Sequence, residues 1–416
     1  MSNSKYDVKS IICSVFLLAI ILSDVICKYI SRFSYFDEFV AILFGIGFIF
    51  GISKSGIRKS ALKIVSCVIV LVIIGLLGNS FSGLTIPTKY IIFDMFNVFK
   101  YLFVVLGANY IYRGIKKDSV LKIIAPVLGL IIIISTVFMI INLFSNIGMH
   151  TDYRYGIRAY NFIFSRVGAF YSALILFDLV FAAYLFYNGG SRFIKACIIL
   201  TQINMLSTLR IRAFIFVILY LSLYYWFIVK GKFTVKKWYI IPFAFLFYLI
   251  SRDQFFYYFS GTRARNILLK YGIVTANNYF PLGSGFATYG TAIAQKNYSP
   301  LYYVYNFGNY WGLSSDYGSF LTDNYWPAII GEFGYIGAIV SFILIVLVIK
   351  SSLINVNNNY SKLCVCFGFA TLVVSSFATS SIFAATRVMV LITFCSTLID
   401  YSNQSKAKIE MERQIV

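Results

Sequence analysis

Apolar residues in this chain are gathered into long unbroken runs rather than spaced along one face. About 20 such residues cross a bilayer as a helix. Twelve runs qualify, at roughly 11–30, 38–52, 62–78, 91–112, 121–142, 167–187, 193–209, 211–229, 237–250, 328–349, 362–380 and 384–400. The second and ninth are short and call for tilt or a thinned bilayer. The runs are interrupted at length only once, from Ser251 to Pro327. This stretch has neither a 3.6-residue period nor strict alternation. Its segments Asn297–Asn306 and Trp311–Trp326 are dense in Tyr and Trp and poor in charge. A long irregular loop inside a compact protein is usually functional or disordered, and this one is too aromatic to be disordered. The pattern therefore predicts an all-α polytopic membrane protein of about twelve helices, with a folded cap. Nine spans fall in 1–250, an extracytoplasmic loop in 251–327, three spans in 328–400 and a tail in 401–416. No inverted internal repeat of the kind transporters carry is visible.

Composition sharpens this picture. With 60% hydrophobic and 12% charged residues, a soluble globular protein is excluded. The net charge of +21 is read through the excess of Lys and Arg in cytoplasmic loops, and no nucleic-acid partner is expected. Lys5 and Lys9, Lys54 to Lys63, Arg113 to Lys122, Arg192 and Lys195, Lys230 to Lys237, Lys350 and Lys362, and the tail lysines all fall on one side of a twelve-span scheme. That side is the cytoplasm, with both termini inside and the long loop outside. The run 11–30 has no small-residue cleavage site and reads as a retained helix. All seven cysteines lie in or beside apolar runs, so neither a disulfide framework nor a thiolate metal site is implied.

The other basic residues, mostly arginine, face outward on this scheme: Arg32, Arg154, Arg158, Arg166, Arg210, Arg212, Arg252, Arg263, Arg265 and Arg387. Positive charge outside runs against topology and needs another reason. Either each guanidinium pairs with a carboxylate or caps a helix end, or the set grips an anion through the planar fork that suits phosphate. The outer acids Asp37, Glu38, Asp152, Asp253, Asp316, Asp323 and Glu332 are too few to pair them all. Three clusters stand out as candidate diphosphate ligands: Arg154 and Arg158 with Arg166, Arg210 and Arg212, and Arg263 and Arg265. Lys100, inside a span six residues after Asp94, is a further candidate. Phosphate at a membrane face suggests a polyprenyl-diphosphate sugar carrier. Trp311, Asn324, Tyr325 and Trp326 are candidate glycan contacts, although Tyr and Trp also favour the membrane–water interface. Sugar transfer from a diphosphate needs leaving-group stabilisation and a base. His150 is a lone histidine, and no zinc site, phosphate-binding loop or nucleophilic triad is present. Pro281–Gly285 is a turn.

Arg263 and Arg265, then Pro281-Leu-Gly-Ser-Gly-Phe-Ala-Thr288, Thr322-Asp-Asn-Tyr-Trp-Pro327 and Glu332-Phe-Gly-Tyr-Ile-Gly337 resemble the O-antigen polymerase (Wzy-type) and O-antigen ligase superfamily. Ser207 to Arg212 is similar to the turn between two spans in that family. The resemblance covers most of the chain. It implies a GT-C-like membrane fold in the bacterial inner membrane, work on undecaprenyl-diphosphate-linked oligosaccharide, no required cofactor or metal, and a chain-length regulator protein as a further partner. Ligases of this superfamily carry a His where Asp323 stands before Asn324, which favours a polymerase. Asp323 and Glu332 then become the catalytic candidates. The alternative is that Asp323 caps the helix beginning near Trp326-Pro327. Rival readings are a ligase, a lipid-linked oligosaccharide flippase or transporter, and a metal-using transferase with Asp37 and Glu38 on the ion.

Overall fold

The computed structural model describes residues 7–231, 260–354 and 356–398. The expected span at 237–250, Arg252, Asp253 and the tail from 401 lie outside these residues. The described chain is mostly helical. Helices α1 (Val8–Ile21) and α2 (Ser23–Tyr29) meet at a 73° bend. They are followed by α3 (Phe36–Ser55), α4 (Lys59–Phe81), α5 (Thr88–Ile111) and α6 (Lys117–Phe144). A short antiparallel hairpin, β1 (His150–Arg154) and β2 (Ile157–Tyr160), precedes α7 (Val167–Tyr187), α8 (Arg192–Ser207) and α9 (Ile211–Tyr224). Next come α10 (Ala264–Asn278), α11 (Ala292–Asn297), α12 (Pro300–Val304), α13 (Tyr325–Leu353), α14 (Asn359–Ser376) and α15 (Thr386–Ser396).

Seven helical stretches among the described residues are long and apolar enough to cross a membrane, eight if the bent α1–α2 pair counts as one span. The expected runs at 193–209, 362–380 and 384–400 form α8, α14 and α15, which fall outside that set. Outward faces carry Ile49 and Phe50 on α3, Ile69 and Ile73 on α4, and Leu130 on α6, all exposed. So large an apolar surface marks a multi-pass membrane protein. By contrast α7 runs through the centre, and most of its side chains are buried.

The long loop folds, but its aromatic residues mostly turn inward. Ile267, Leu268, Tyr289, Leu301, Tyr302 and Phe307 form a core separate from that of the helical bundle. Tyr302 stacks on Phe307 at 5.1 Å, and Tyr271 on Tyr305 at 4.7 Å. Ser299 caps α12 with Pro300 in its first turn, and Thr291 caps α11.

The turn 283–291 reaches from this cap into the bundle. Buried backbone there must find partners, and it finds them on three helices. Asn79 of α4 clasps Phe286 from both sides, donating to its carbonyl and accepting from its N–H, each at 2.9 Å. Asp94 of α5 accepts from the Ala287 N–H at 2.8 Å. Glu332 of α13 accepts from the N–H groups of Thr288 and Tyr289 at 3.1 and 3.2 Å and from the Thr291 hydroxyl at 3.1 Å. α13 breaks at Gly334, where φ is +63°, and the carbonyls of Gly331 and Glu332 accept from Ser284 and Gly285. At Gly283 a side chain would run into the backbone of Glu332 and Gly334. Gly283→Ala is therefore expected to cost on the order of 3 kcal/mol, combining overpacking with a left-handed backbone. Gly190→Ala, which meets nothing within 4 Å, should be neutral. Unfolding temperatures of the two purified variants in detergent compare them directly.

Candidate functional site: an arginine-lined cavity

A cavity of about 550 Å³ opens where the first turns of four helices converge. Arg166 is the N-cap of α7 and Arg210 that of α9, and Arg212 follows in the first turn of α9. Arg265 is the second residue of α10, and Arg387 the second of α15. All five line the cavity, facing three carboxylates: Asp24, Asp37 and Asp323. Its remaining wall is apolar and hydroxylic, with Tyr171, Ile175 and Leu176 from α7 and Leu372 and Ser375 from α14.

This placement opposes ordinary helix electrostatics. The N-terminus of a helix carries about half a positive charge, and a cation there is disfavoured by roughly 0.3–1 kcal/mol. Here guanidinium charge and helix-end charge add in one concavity, which is the arrangement that draws an anion. The α8–α9 turn shows the backbone cost. Leu209 lies in the left-handed region at φ +52°, a conformation unfavourable to a branched side chain by about 1–2 kcal/mol. It lets the chain reverse within Thr208–Arg210, so that both arginines reach the cavity.

The resident carboxylates hold some of these arginines in place. Asp323 Oδ2 accepts from Arg265 Nη2 at 2.9 Å and from Nε at 3.2 Å. Asp37 accepts from Arg387 at 2.9 Å, while Asp24 is taken up by the N–H and hydroxyl of Ser165. Arg210 reaches Asp152 at 3.1 Å. Arg212 lies over the Tyr171 ring at 5.6 Å and donates to Thr379. Arg166 makes no ion pair among the described residues and is exposed. Burial pushes the Asp323 carboxyl above the usual aspartate range, and Arg265, with weaker help from Arg212 and Arg166, opposes that rise without cancelling it.

The cavity takes in Arg210, Arg212, Arg265 and Asp323, but not the other expected site residues. Arg154 is bound to Asp152 outside the cavity. Arg158 donates to the Asn142 carbonyl at 2.8 Å and so ties the hairpin to α6. Arg263, the N-cap of α10, is exposed and does not line the cavity. Glu332 is fully buried in the turn-docking network, so its place is structural and it does not share the cavity with Asp323. The capping alternative for Asp323 also fails, because the N-cap of α13 is Asn324 and the Asp323 side chain is turned to Arg265. Tyr325 is buried against Phe383, and Trp326 donates to Ser376. Trp311 is 74% exposed among Tyr317 and Phe320, and Asn324 is buried; neither lines the cavity. His150 packs edge-on against Tyr153. Lys100 pairs with Glu38 at 2.7 Å, so Asp37 and Glu38 serve different cations.

Arg166 is marked through its cluster with Arg154 and Arg158, whereas Arg387 belongs to the outward arginine set with nothing local in the sequence to single it out. Asp24 is hidden inside the first apolar run, which bends two residues before it. Neither the models of known protein families nor curated proteins match this chain, so the chemistry stands on the cavity itself.

The two kinds of arginine should separate experimentally. Arg158→Gln removes a charge-assisted bond and is expected to lower stability by roughly 1.5–3 kcal/mol. Arg166→Gln should change it by no more than about 0.5 kcal/mol, as an exposed site with no ion pair among the described residues does. Thermal unfolding in detergent reads both.

Proposed function

We propose that this chain is a polysaccharide polymerase that transfers a growing glycan from undecaprenyl diphosphate onto an incoming lipid-linked repeat unit. The setting is the outer face of a bacterial inner membrane, on a GT-C-like scaffold of about twelve spans with both termini in the cytoplasm. The observation that carries this reading is the convergence of Arg166, Arg210, Arg212, Arg265 and Arg387 on one cavity with an apolar wall. A lipid diphosphate presents the matching chemistry, a doubly anionic head and an apolar tail. O-antigen or capsule repeat units are the glycan class, and a chain-length regulator is the partner protein this activity calls for.

In the proposed reaction the acceptor hydroxyl oxygen attacks the anomeric carbon of the donor glycan. The bond from that carbon to the diphosphate oxygen breaks, and undecaprenyl diphosphate leaves with the electron pair. The arginines hold the charge that develops on the leaving oxygen, the kind of preorganised stabilisation that dominates many enzymes. Asp323 takes the proton of the acceptor hydroxyl, and its raised pKa makes it a stronger base than a surface aspartate. Intramembrane carboxylates such as Asp94 and Glu332 would suit a transporter. Their hydrogen bonds to the turn 287–291 account for them without ion movement.

Two predictions test this reading with purified protein and a lipid-linked repeat unit, chain length being followed on gels. Asp323→Asn should lower kcat by about 10²–10⁴-fold, the range for a lost general base, and leave single units unpolymerised. Normal chain length in that variant removes Asp323 as the base. Arg212→Lys should lose at least about tenfold, because a point charge replaces only part of a forked grip.

The pH profile provides an independent check. Activity that needs ionised Asp323 falls as pH drops through its folded pKa, so the acid limb should lie above that of an ordinary aspartate. Arg265 lowers that pKa, so Arg265→Gln should move the limb to still higher pH. A limb that stays put assigns it to another group.

A further inference from the structure

A second cavity, of about 940 Å³, lies at the other end of the bundle. The two are linked by α3, which begins beside the arginine cavity at Asp37 and ends at the second cavity at Gly56. At 1.5 Å per residue that path is about 28 Å, close to one hydrocarbon thickness. Arg58, Lys59, Arg113 and Lys117 line the second cavity, and no carboxylate among the described residues does. The nearest acid along the chain, Asp118, is tied to Lys122 at 2.7 Å.

A basic loop at this end is ordinary for a membrane protein. A lysine enclosed in protein whose unpaired ammonium opens only toward the cavity is not, since an uncompensated charge is costly to enclose. Lys117 is 5% exposed, and its ammonium has no hydrogen bond or ion pair among the described residues. Ser352 is also buried on this wall, and its hydroxyl has no partner among those residues. Arg58 and Lys59 start α4, and Lys117 starts α6, so two long helices add their positive ends to the same space.

We propose that this second cavity binds a phosphate-bearing anion, with Lys117, Arg113, Arg58 and Lys59 as its cationic ligands and the Ser352 hydroxyl as a hydrogen-bond donor. Two sources share that chemistry: the headgroup of an acidic phospholipid, and free phosphate in the adjoining aqueous space. The ligand completes the charge balance at the buried Lys117, so occupancy stabilises the junctions between α3 and α4 and between α5 and α6.

Two arms of one experiment on the full-length protein distinguish the sources. In detergent, inorganic phosphate is titrated against sodium chloride of equal ionic strength, and the unfolding temperature is followed. In nanodiscs of phosphatidylcholine with or without phosphatidylglycerol, retained lipid is counted by native mass spectrometry. A stabilising response to phosphate identifies the free anion, and selective retention of phosphatidylglycerol identifies the lipid. In either case Lys117→Gln and Arg113→Gln should each weaken binding at least tenfold, while Arg192→Gln, which is exposed and outside the cavity, should not. Arg113 is exposed, so its variant decides the question should Lys117→Gln fail to fold. No response above the chloride and phosphatidylcholine baselines, or full binding in Arg113→Gln, overturns the proposal.

Discussion

The structure depends on one docking event, the burial of the turn 283–291 between α4, α5 and α13. Irregular backbone at bilayer depth is tolerated only where protein satisfies its polar groups. Asn79, Asp94 and Glu332 supply that satisfaction from three different helices, and the break at Gly334 lends two carbonyls more. Each bond contributes only about 1 kcal/mol net, but leaving any one of these groups unpaired would cost about 1–3 kcal/mol. The turn therefore fixes the cap to the bundle in one register. Because α10 and Asp323 both belong to segments that this turn joins, the register also sets where Arg265 and Asp323 meet.

The arginine cavity inherits its character from helix ends. Four helices present their N-termini there, and each brings an arginine that its own dipole disfavours. A feature repeated on four independent elements against a local cost is a marker of function rather than stability. The carboxylates Asp37 and Asp323 partly offset that cost by holding Arg387 and Arg265 in fixed poses.

Much of this was legible in the chain, for physical reasons that differ by element. Long apolar runs announce their helices because a bilayer demands them, and the described helices follow the runs with shifts of a few residues at their ends. Arg210, Arg212 and Arg265 stood out because clustered arginine in loops away from the lysine-rich set needed a reason, and Asp323 because it precedes Asn324 in the segment that resembles the polymerase and ligase superfamily. Glu332 misled because a carboxylate near a candidate base looks the same in sequence whether it faces a ligand or a row of backbone amides. Lys100 stood out as an ionisable group inside a span, yet it pairs with Glu38, while Asp94 on the same helix accepts from the Ala287 amide. The aromatic loop read as a sugar platform because residue type reveals affinity for rings but not direction. Tyr289, Tyr302 and Phe307 turn that affinity on one another.

The carboxylates inside the arginine cavity also bear on how a ligand leaves. On the proposed reading, the diphosphate that departs carries more negative charge than the glycosyl ester that arrived, so five unopposed guanidinium groups would retain the product. Asp37 is already bonded to Arg387 and stands ready to reclaim it, and Asp323 can reclaim Arg265 once it has given up the proton taken from the acceptor. They act as internal competitors, trading some affinity for release. A site built this way is tuned for repeated turnover rather than for storage, which suits a catalyst that must empty itself after every unit added.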